Sequence, residues 1–565
     1  MVTRKWFHCI LALMVGASPY SSMPLRASER DDGDAPTTTP IKHVVVIFQE
    51  NVSFDHYFGT YPFALNPGGE PEFHAKNDTP SVNNLLSSGL LTHNPNGVNP
   101  FRIDRSVPVT CDEDHNYQDE EFVFHGGLMD LFTSNLTFKV PPTTPFSCND
   151  AKLGPNSVMG YYDGNTVTAL WNYAQYFAMS DNSFGTTFGP STPGALNLIA
   201  GNTFPGTLVP KRPNGTTASA SGNLANAANM GAVIGDPRPG YDDCVRTNSK
   251  LQNTNMITVT GKNVGDLLNA KGLTWGWFMG GFAPTGTQAG TDEFGMMRPL
   301  AVCGSHHTGV AGDDAVTTVG DYIPHHEPFE YYLQSSNIQH LRPSSPSMIG
   351  GTDQAKHQYD LADFFTALRQ DHLPAVTFLK AAAYQDGHAQ YSDPLDEQIF
   401  LVDTINAIMR TDEWKETAII IAYDDSDGWY DHVMGPTVNQ SNVSDDEILG
   451  PGNCGTPKVI PGTASIQNGR CGYGPRMPLM VISPWAKKNY VDHSVTDQSS
   501  ILRFIEDNWN LGRVGGGSTD VIAGTLNNMF DFSDDREDRR LDDHGSRRLI
   551  LDPESGQVQD DDARD

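Results

Sequence analysis

The sequence predicts an α/β protein built as a three-layer α/β/α sandwich. Two apolar, β-branched runs, Ile41–Phe48 and Thr417–Ala422, have the composition of buried strands. Later in the chain, apolar residues recur at helical spacing between further strand-like runs. Alternating strands and helices favour one large sheet covered by helices, with loop-rich insertions, in a single domain.

The predicted elements of the later half follow one another in a regular order. A helix is expected around Tyr359 to Leu368, and a strand over Leu373–Leu379. Asp396–Met409 places Ile399, Val402, Ile405 and Met409 on one helical face and leads into the strand at 417–422. Met477–Ile482 is a further strand, and Asp497 can cap a last helix whose core side carries Ile501, Leu502, Ile505 and Trp509.

The ends of the chain differ in composition from its middle. Residues 1–27 combine Arg4 and Lys5 with a short apolar stretch, which is typical of a secretory signal peptide whose cleavage point lies between Ala17 and Ala27. Residues 28–40 form a polar linker, residues 41–532 the folded domain, and residues 533–565 a charged tail that we expect to be disordered. The protein is therefore predicted to be secreted or periplasmic.

Charge and cysteine content narrow the class of protein. The formal net charge of −31 argues against nucleic acid as a structural partner, because phosphate backbones are held by patches of Lys and Arg. No later run has the length and apolarity of a transmembrane segment. Six widely spaced cysteines remain once Cys9 leaves with the signal, which favours disulfides over a zinc cluster, with Cys454–Cys471 as the preferred pair.

Two predicted strands end in oxygen-rich side chains. The first delivers Glu50 and Asn51, and the second delivers Asp424 and Asp425. Ligands of open α/β sheets bind at the carboxyl ends of the strands, and carboxylate and amide oxygens suit a hard cation. We therefore expect one divalent or transition metal ion here. A plain turn or a calcium loop at 424–428 are the alternatives, although no Glu stands at the final calcium-ligand position.

A candidate nucleophile lies in the segment Gly189–Gly201. Thr192 as N-cap and Pro193 as first helical residue would leave Ser191 just before the positive end of a helix. The metal and the helix dipole could then hold the Ser191 hydroxyl as an alkoxide that attacks phosphorus. The alternative is a capping turn with a solvent-facing serine.

Four histidines complete the candidate site: His115, His325, His326 and His388. An imidazolium can bind the oxygens of a phosphoryl group, and one of these histidines could protonate the leaving oxygen. A single histidine is more often a packing residue, but two adjacent ones in a loop are less easily explained in that way.

Glu50 to Gly59 reads E-N-V-S-F-D-H-Y-F-G. This closely resembles the E-N-R-S-F-D-H-Y-F-G signature of the secreted phosphoesterases that include bacterial acid phosphatases and phosphatidylcholine-hydrolysing phospholipases C. The resemblance extends from about residue 41 to 509. It implies an alkaline-phosphatase-like sandwich with one metal bound by Glu50, Asn51, Asp424, Asp425 and the nucleophile Ser191, and phosphate contacts from Asn51, His115, His325, His326 and His388.

The resemblance implies a metal-dependent hydrolase of phosphate esters with a phosphoseryl intermediate. Ser191 and Asp424–Gly428 resemble the acid phosphatases, whereas the phospholipases C tend to carry Thr at the nucleophile and E-N-D-G after the metal strand. A phospholipase C, which would make transient lipid contact, is the alternative. Val52 replaces the usual Arg of the signature, so a secreted binding protein that captures phosphate ligands without turnover is a third possibility.

Overall fold

The computed structural model describes residues 35–135, 153, 156–309, 320–463, 465–533 and 547–559. The predicted signal peptide 1–27 lies outside the described residues, as does most of the predicted linker 28–40. None of the helices within these ranges has the length and apolarity needed to cross a membrane.

An eight-stranded mixed sheet forms the centre of the protein. Its strands, numbered in chain order, are β1 His43–Gln49, β2 Ala178–Ser180, β3 Trp275–Met279, β4 Gln358–Asp360, β5 Val376–Lys380, β6 Thr417–Tyr423, β7 Leu479–Ile482 and β8 Tyr490–Asp492. Their order across the sheet is β4-β3-β5-β1-β6-β7-β2-β8. Across the sheet, the neighbouring strands β4, β3, β5, β1 and β6 are mutually parallel. Strand β7 is antiparallel to both of its neighbours, and β8 is parallel to β2.

Helices cover both faces of this sheet. The α-helices are α1 Phe54–Phe58, α2 Tyr117–Phe124, α3 Phe132–Asn135, α4 Thr168–Tyr176, α5 Ser191–Ala200, α6 Asp243–Thr247, α7 Val264–Lys271, α8 Leu361–Leu368, α9 Pro394–Met409 and α10 Gln498–Trp509. Helix α5 packs on α7 and α10, whereas α4 packs on α9. Right-handed crossovers put these two groups on opposite faces, because the chain moves one way across the sheet through α9 and the other way through α5 and α7.

The central strands have the burial expected of a covered parallel sheet. Every residue of β1 and β6 is buried, which explains their nearly continuous apolar runs. Asp393 caps α9 and Asp497 caps α10, each by accepting hydrogen bonds from backbone N–H groups of the first turn. The predicted α/β/α architecture and the predicted cap at Asp497 are confirmed.

Smaller strands lie in the insertions, as short ladders outside the main sheet. They are Phe101–Arg102, Gly160–Tyr161, Ser183–Phe184, Gly206–Leu208, Met230–Gly231, Arg238–Pro239, Met256–Val259, Gly286–Thr291, Met297–Val302 and Thr496–Asp497. Disulfides join Cys244 to Cys303 and Cys454 to Cys471 within these regions. The second pair is the one preferred from the sequence.

The prediction of a disordered tail over 533–565 is wrong for residues 547–559. Leu549, Ile550 and Leu551 are buried in the main core. The backbone of Leu551 exchanges two hydrogen bonds with the side chain of Asn406 on α9. Three consecutive large apolar residues in a charged segment were the signal for this docking, and the composition of the whole tail concealed it.

The docked segment is expected to contribute to the stability of the fold. Leu551→Ala should lower the free energy of unfolding by about 2–5 kcal/mol, because it removes a fully buried side chain and leaves a cavity. Urea denaturation measures this change. Val558→Ala is the matched control, since Val558 lies in the same segment and is 45% exposed. Equal stabilities of the two variants would contradict the docking.

Candidate active site

The register of two neighbouring parallel strands brings the predicted metal ligands together. Gln49 at the end of β1 is paired with Tyr423 at the end of β6. Glu50 and Asp424 therefore leave the sheet side by side. The backbone continues this alignment beyond the strands, since the N–H of Val52 donates to the carbonyl of Asp425 over 3.1 Å.

The helix that carries Ser191 begins two residues earlier than predicted. Ser191 is the first residue of α5, and Pro190 occupies the N-cap position without a side-chain cap. The predicted N-cap role of Thr192 is therefore wrong. Its backbone N–H instead donates to Asp236 Oδ1 over 2.9 Å. Ser191 still lies at the N-terminal end of the helix, where the helix dipole favours negative charge.

The Ser191 hydroxyl points into the cluster of carboxylates. Its Oγ lies 3.1 Å from Glu50 Oε2 and 3.1 Å from Asp425 Oδ2. This approach requires a glycine on the same helix, because a Cβ at Gly194 would lie 2.2 Å from the carbonyl oxygen of Asp424. The helix can come this close to the strand end only where a side chain is missing.

Glu50 is surrounded by basic groups on the side away from Ser191. Its Oε1 contacts the ammonium of Lys380, and His326 Nδ1 lies 2.9 Å from the same oxygen. Burial raises the pKa of Glu50, but its contacts with His326 and Lys380 lower it by more, so that the net pKa is well below the ordinary value. Glu50 is therefore ionised in the interior of the protein.

The other two carboxyl groups lie in a less compensated environment. Burial, together with the charges of Glu50 and Asp425, raises the pKa of Asp424 well above its ordinary value. Burial also raises the pKa of Asp425, to about 6. Asp424 Oδ2 and both amide atoms of Asn51 are buried and have no hydrogen-bond partner among the described residues. A hard cation bound by these oxygens would satisfy them and offset the repulsion.

The adjacent histidines extend the cluster toward a cavity. His326 is buried, and its Nε2 lies 3.1 Å from Nε2 of His325. Burial lowers the pKa of His326 to about 4. His325 lines the cavity, and its Nδ1 has no partner among the described residues.

His115 and His388 lie in the same cavity. Burial lowers the pKa of His115, but the charges of Asp425, Asp427 and Asp112 raise it by more, to well above its ordinary value. His115 Nδ1 lies 3.3 Å from Asp427 Oδ1. The rings of His115 and His388 are 6.3 Å apart between centroids. The ligand atoms of Asp112, His115, His388 and Asp427 all lie within 4.8 Å of one another, which makes a second group of potential metal ligands.

The cavity has a volume of about 500 Å³, and its lining includes Ser191, His115, His325 and His388. This volume is within the range of about 300–1,000 Å³ found for pockets that bind small molecules. The cavity beside the candidate nucleophile therefore has room for a ligand larger than a single phosphate ion.

Comparison with known protein families identifies the family of this chain. Residues 41–512 match the phosphoesterase family. The chain belongs to the phosphoesterase family. The match covers the whole central sheet and all the candidate site residues described above.

Several curated proteins are similar to this phosphoesterase. A non-hemolytic phospholipase C of Burkholderia pseudomallei is 25% identical over 514 residues, which are 88% of this chain and 60% of that protein. Phospholipase C B of Mycobacterium tuberculosis is 23% identical over 553 residues, covering 94% of this chain and 86% of the relative. The chain thus spans about 60% of the length of the first of these relatives.

Solved structures overlap only in part with this phosphoesterase. Murine ectonucleotide pyrophosphatase/phosphodiesterase 5 in complex with AMP has a TM-score of 0.29 at 9% identity, over 65% of this chain and 94% of that chain. A protein of the alkaline phosphatase superfamily from Vibrio parahaemolyticus has a TM-score of 0.26 at 11% identity, over 63% of this chain and 62% of that chain. The central sheet and the helices on its two faces define the α/β/α fold of this protein.

The structure brings the sequence-predicted site residues into one region and adds a residue that the sequence interpretation missed. Lys380 stands at the end of β5, directly beside β1. It could have been found by the same signal that identified Glu50 and Asp424, a polar side chain at the end of an apolar strand. The predicted strand ended one residue short of it, at Leu379.

Gly194 provides a test of the close contact between helix and strand. In a helix interior, Gly→Ala ordinarily stabilises by about 1 kcal/mol. At this position we expect Gly194→Ala to destabilise the protein by about 1–3 kcal/mol, because the new methyl group meets backbone that must move. Chemical denaturation measures the sign. Gly68→Ala is the control, since no atom lies within 4 Å of its added Cβ. A stabilised Gly194→Ala variant would refute the contact.

Proposed function

We propose that this phosphoesterase is a metal-dependent hydrolase of phosphoric esters, with Ser191 as its nucleophile. The observation that carries the proposal is the position of the Ser191 Oγ, 3.1 Å from carboxylate oxygens of both Glu50 and Asp425, at a helix N-terminus and at the wall of a cavity. A hydroxyl so placed can lose its proton to a neighbouring carboxylate and attack a phosphorus atom in the cavity.

The proposed metal site consists of Glu50, Asn51, Asp424 and Asp425, with Ser191 as a further ligand. The three carboxylates together with the Lys380 ammonium carry a net charge of −2 when all are ionised, which a divalent cation would neutralise. The unpartnered oxygens of Asn51 and Asp424 support this ligand set. Such an ion would act as a Lewis acid toward a phosphoryl oxygen and would lower the pKa of the serine hydroxyl.

The reaction proceeds through a phosphoseryl intermediate. Ser191 attacks the phosphorus, and the bond between phosphorus and the leaving oxygen breaks as the serine ester forms. His115 is cationic because neighbouring carboxylates raise its pKa, so it can hold negative charge on the phosphoryl oxygens or donate a proton to the leaving oxygen. His326, with its pKa lowered to about 4, is neutral near pH 7 and can bind through hydrogen bonds. Water then hydrolyses the serine ester and releases phosphate.

A phospholipase C acting on phosphatidylcholine-type lipids is the second candidate. Its support comes from the names of the relatives and from one surface feature. The hairpin Gly286–Thr291 and Met297–Val302 carries Phe294, Met296 and Met297 at its turn, exposed by 63%, 65% and 72%. Exposed apolar groups at a loop tip can contact a lipid surface. Parallel assays with a phosphate monoester and with phosphatidylcholine micelles separate the two activities.

Ser191→Ala should reduce turnover of an aryl phosphate by about 10³-fold or more, because loss of a nucleophile removes the covalent route. Phosphate release in the steady state measures this effect, and an unchanged thermal unfolding curve shows that the fold is intact. Ser494→Ala, which removes a hydroxyl outside the cavity, is the control. Retained turnover would exclude Ser191 as the nucleophile. Release of no more than one phosphate per wild-type molecule would favour a binding protein over an enzyme.

Asp424→Asn should lose bound metal, since it removes one negative charge from the proposed ligand set. Elemental analysis of the purified protein gives the metal content per chain. Asp371→Asn makes the same chemical change at an exposed site and should retain the metal. Equal metal content in the two variants would refute the ligand assignment, whatever the effect of either variant on activity.

A further inference from the structure

Arg238 lines the same cavity as Ser191 and is held at a fixed position relative to it. It belongs to the short strand Arg238–Pro239, which pairs with Met256–Val259. The preceding residue, Pro237, accepts a hydrogen bond from the Tyr331 hydroxyl over 2.6 Å. The same hydroxyl lies 3.3 Å from Thr192 Oγ1, in the first turn of the helix that begins with Ser191. This network connects Arg238 to the nucleophile helix.

Burial lowers the pKa of Arg238 and the charge of Asp236 partly offsets this, but the described residues do not satisfy all the guanidinium donors. The Nε and Nη1 of Arg238 are buried and have no hydrogen-bond acceptor among the described residues. Asp236, two residues away, accepts from the backbone of Thr192 through Oδ1, and its Oδ2 lies 3.9 Å from His325 Nε2. Arg476 shows the contrast, because its Nε, Nη1 and Nη2 all donate hydrogen bonds to protein acceptors.

Buried guanidinium nitrogens without acceptors are costly unless a ligand in the cavity supplies them. Arginine stays protonated, and its planar fork of donors matches the geometry of a carboxylate or phosphate group. A buried charge without such a partner destabilises the folded protein. The cavity can hold more than a phosphoryl group, since its volume is about 500 Å³. There is therefore room near Arg238 for part of the leaving group.

We propose that Arg238 forms an anion subsite that binds a second acidic group, a carboxylate or a second phosphate, carried by the leaving group of the phosphate ester. This proposal rests on the function proposed above, since it takes the phosphoryl group to be bound at Ser191. Arg238 is then a specificity-determining residue that favours substrates with two anionic groups over simple monoesters. Lys250, also in the cavity lining, adds a second positive charge without a fork of donors.

Three substrates that differ only in the second group test the subsite. They are phenyl phosphate, 4-carboxyphenyl phosphate and 1,4-phenylene bisphosphate. The measured quantity is the ratio of kcat/KM for each substrate with a second acidic group to kcat/KM for phenyl phosphate. Arg238→Ala should lower this ratio by about 10- to 100-fold, because a hydrogen-bonded charge pair is lost. The carboxylate and bisphosphate arms show which acidic group the subsite prefers. Arg238→Lys should recover only part of the ratio, because a point charge replaces a bidentate fork.

Lys211→Ala is the matched control, since it removes one positive charge at an exposed residue outside the cavity lining. Its ratio should equal that of the wild type. An unchanged ratio in Arg238→Ala would overturn the proposal. So would an equal loss on all three substrates, which would place Arg238 on the transferring phosphoryl group instead.

A binding measurement separates failure of the subsite from failure of the proposed function. Calorimetric titration compares 4-carboxybenzylphosphonate with benzylphosphonate, neither of which can be hydrolysed at phosphorus. The wild type should bind the carboxylated compound more tightly, and Arg238→Ala should abolish that difference. If no ester is turned over but this result is obtained, the subsite stands and the hydrolase does not. Equal affinities for both compounds in the wild type would refute the subsite.

Discussion

Three carboxylates share one buried point in this protein, and their mutual repulsion is the constraint on which the site depends. Glu50, Asp424 and Asp425 are almost inaccessible to water, so they cannot be screened by solvent. Lys380 and His326 contact Glu50 and hold its pKa low. Burial, together with the charges of neighbouring carboxylates, raises the pKa values of the two aspartates, and a cation bound here would offset that effect.

The sheet creates this concentration of charge at little cost to its own packing. Strands β5, β1 and β6 lie side by side with their apolar residues in the core, and each changes from apolar to polar at its carboxyl end. Lys380, Glu50 and Asp424 are therefore delivered to one edge by strand register. The proposed nucleophile comes from a different element, the helix that begins with Ser191, and Gly194 permits its close approach.

The cavity above this edge is lined mainly by segments outside the central strands. His115 precedes α2, His325 lies in a short 3₁₀ turn, and Arg238 belongs to a small separate sheet. The proposed reacting centre thus lies on central strands and a helix, whereas the rest of the cavity wall comes from the insertions. Such a division lets related chains keep one chemistry while the bound ester changes. It also fits relatives named as phospholipases C at identities of only 23–25%.

The sequence by itself determined four of the eight central strands, β1, β5, β6 and β7, and the acidic and amide residues that follow β1 and β6. Continuous apolar runs can only be buried strands or helices, and Glu50, Asn51, Asp424 and Asp425 follow them directly, so that their types and order carried the metal hypothesis. Ser191 and the four histidines were also identified as candidate site residues from the sequence. Their grouping followed from the motifs together with the resemblance to a known family.

The tertiary structure alone decided which distant residues meet these groups. Four placements depend on contacts between segments far apart in the chain. They are Lys380 against Glu50, Asp236 at the start of the Ser191 helix, Arg238 in the cavity and Leu551 in the core. Such contacts leave no local periodicity, because each is set by how separate elements pack. The predicted start of the Ser191 helix was wrong for a related reason. The Thr192 N–H donates to Asp236, which is distant in sequence, whereas capping rules consider only residues next to the helix start.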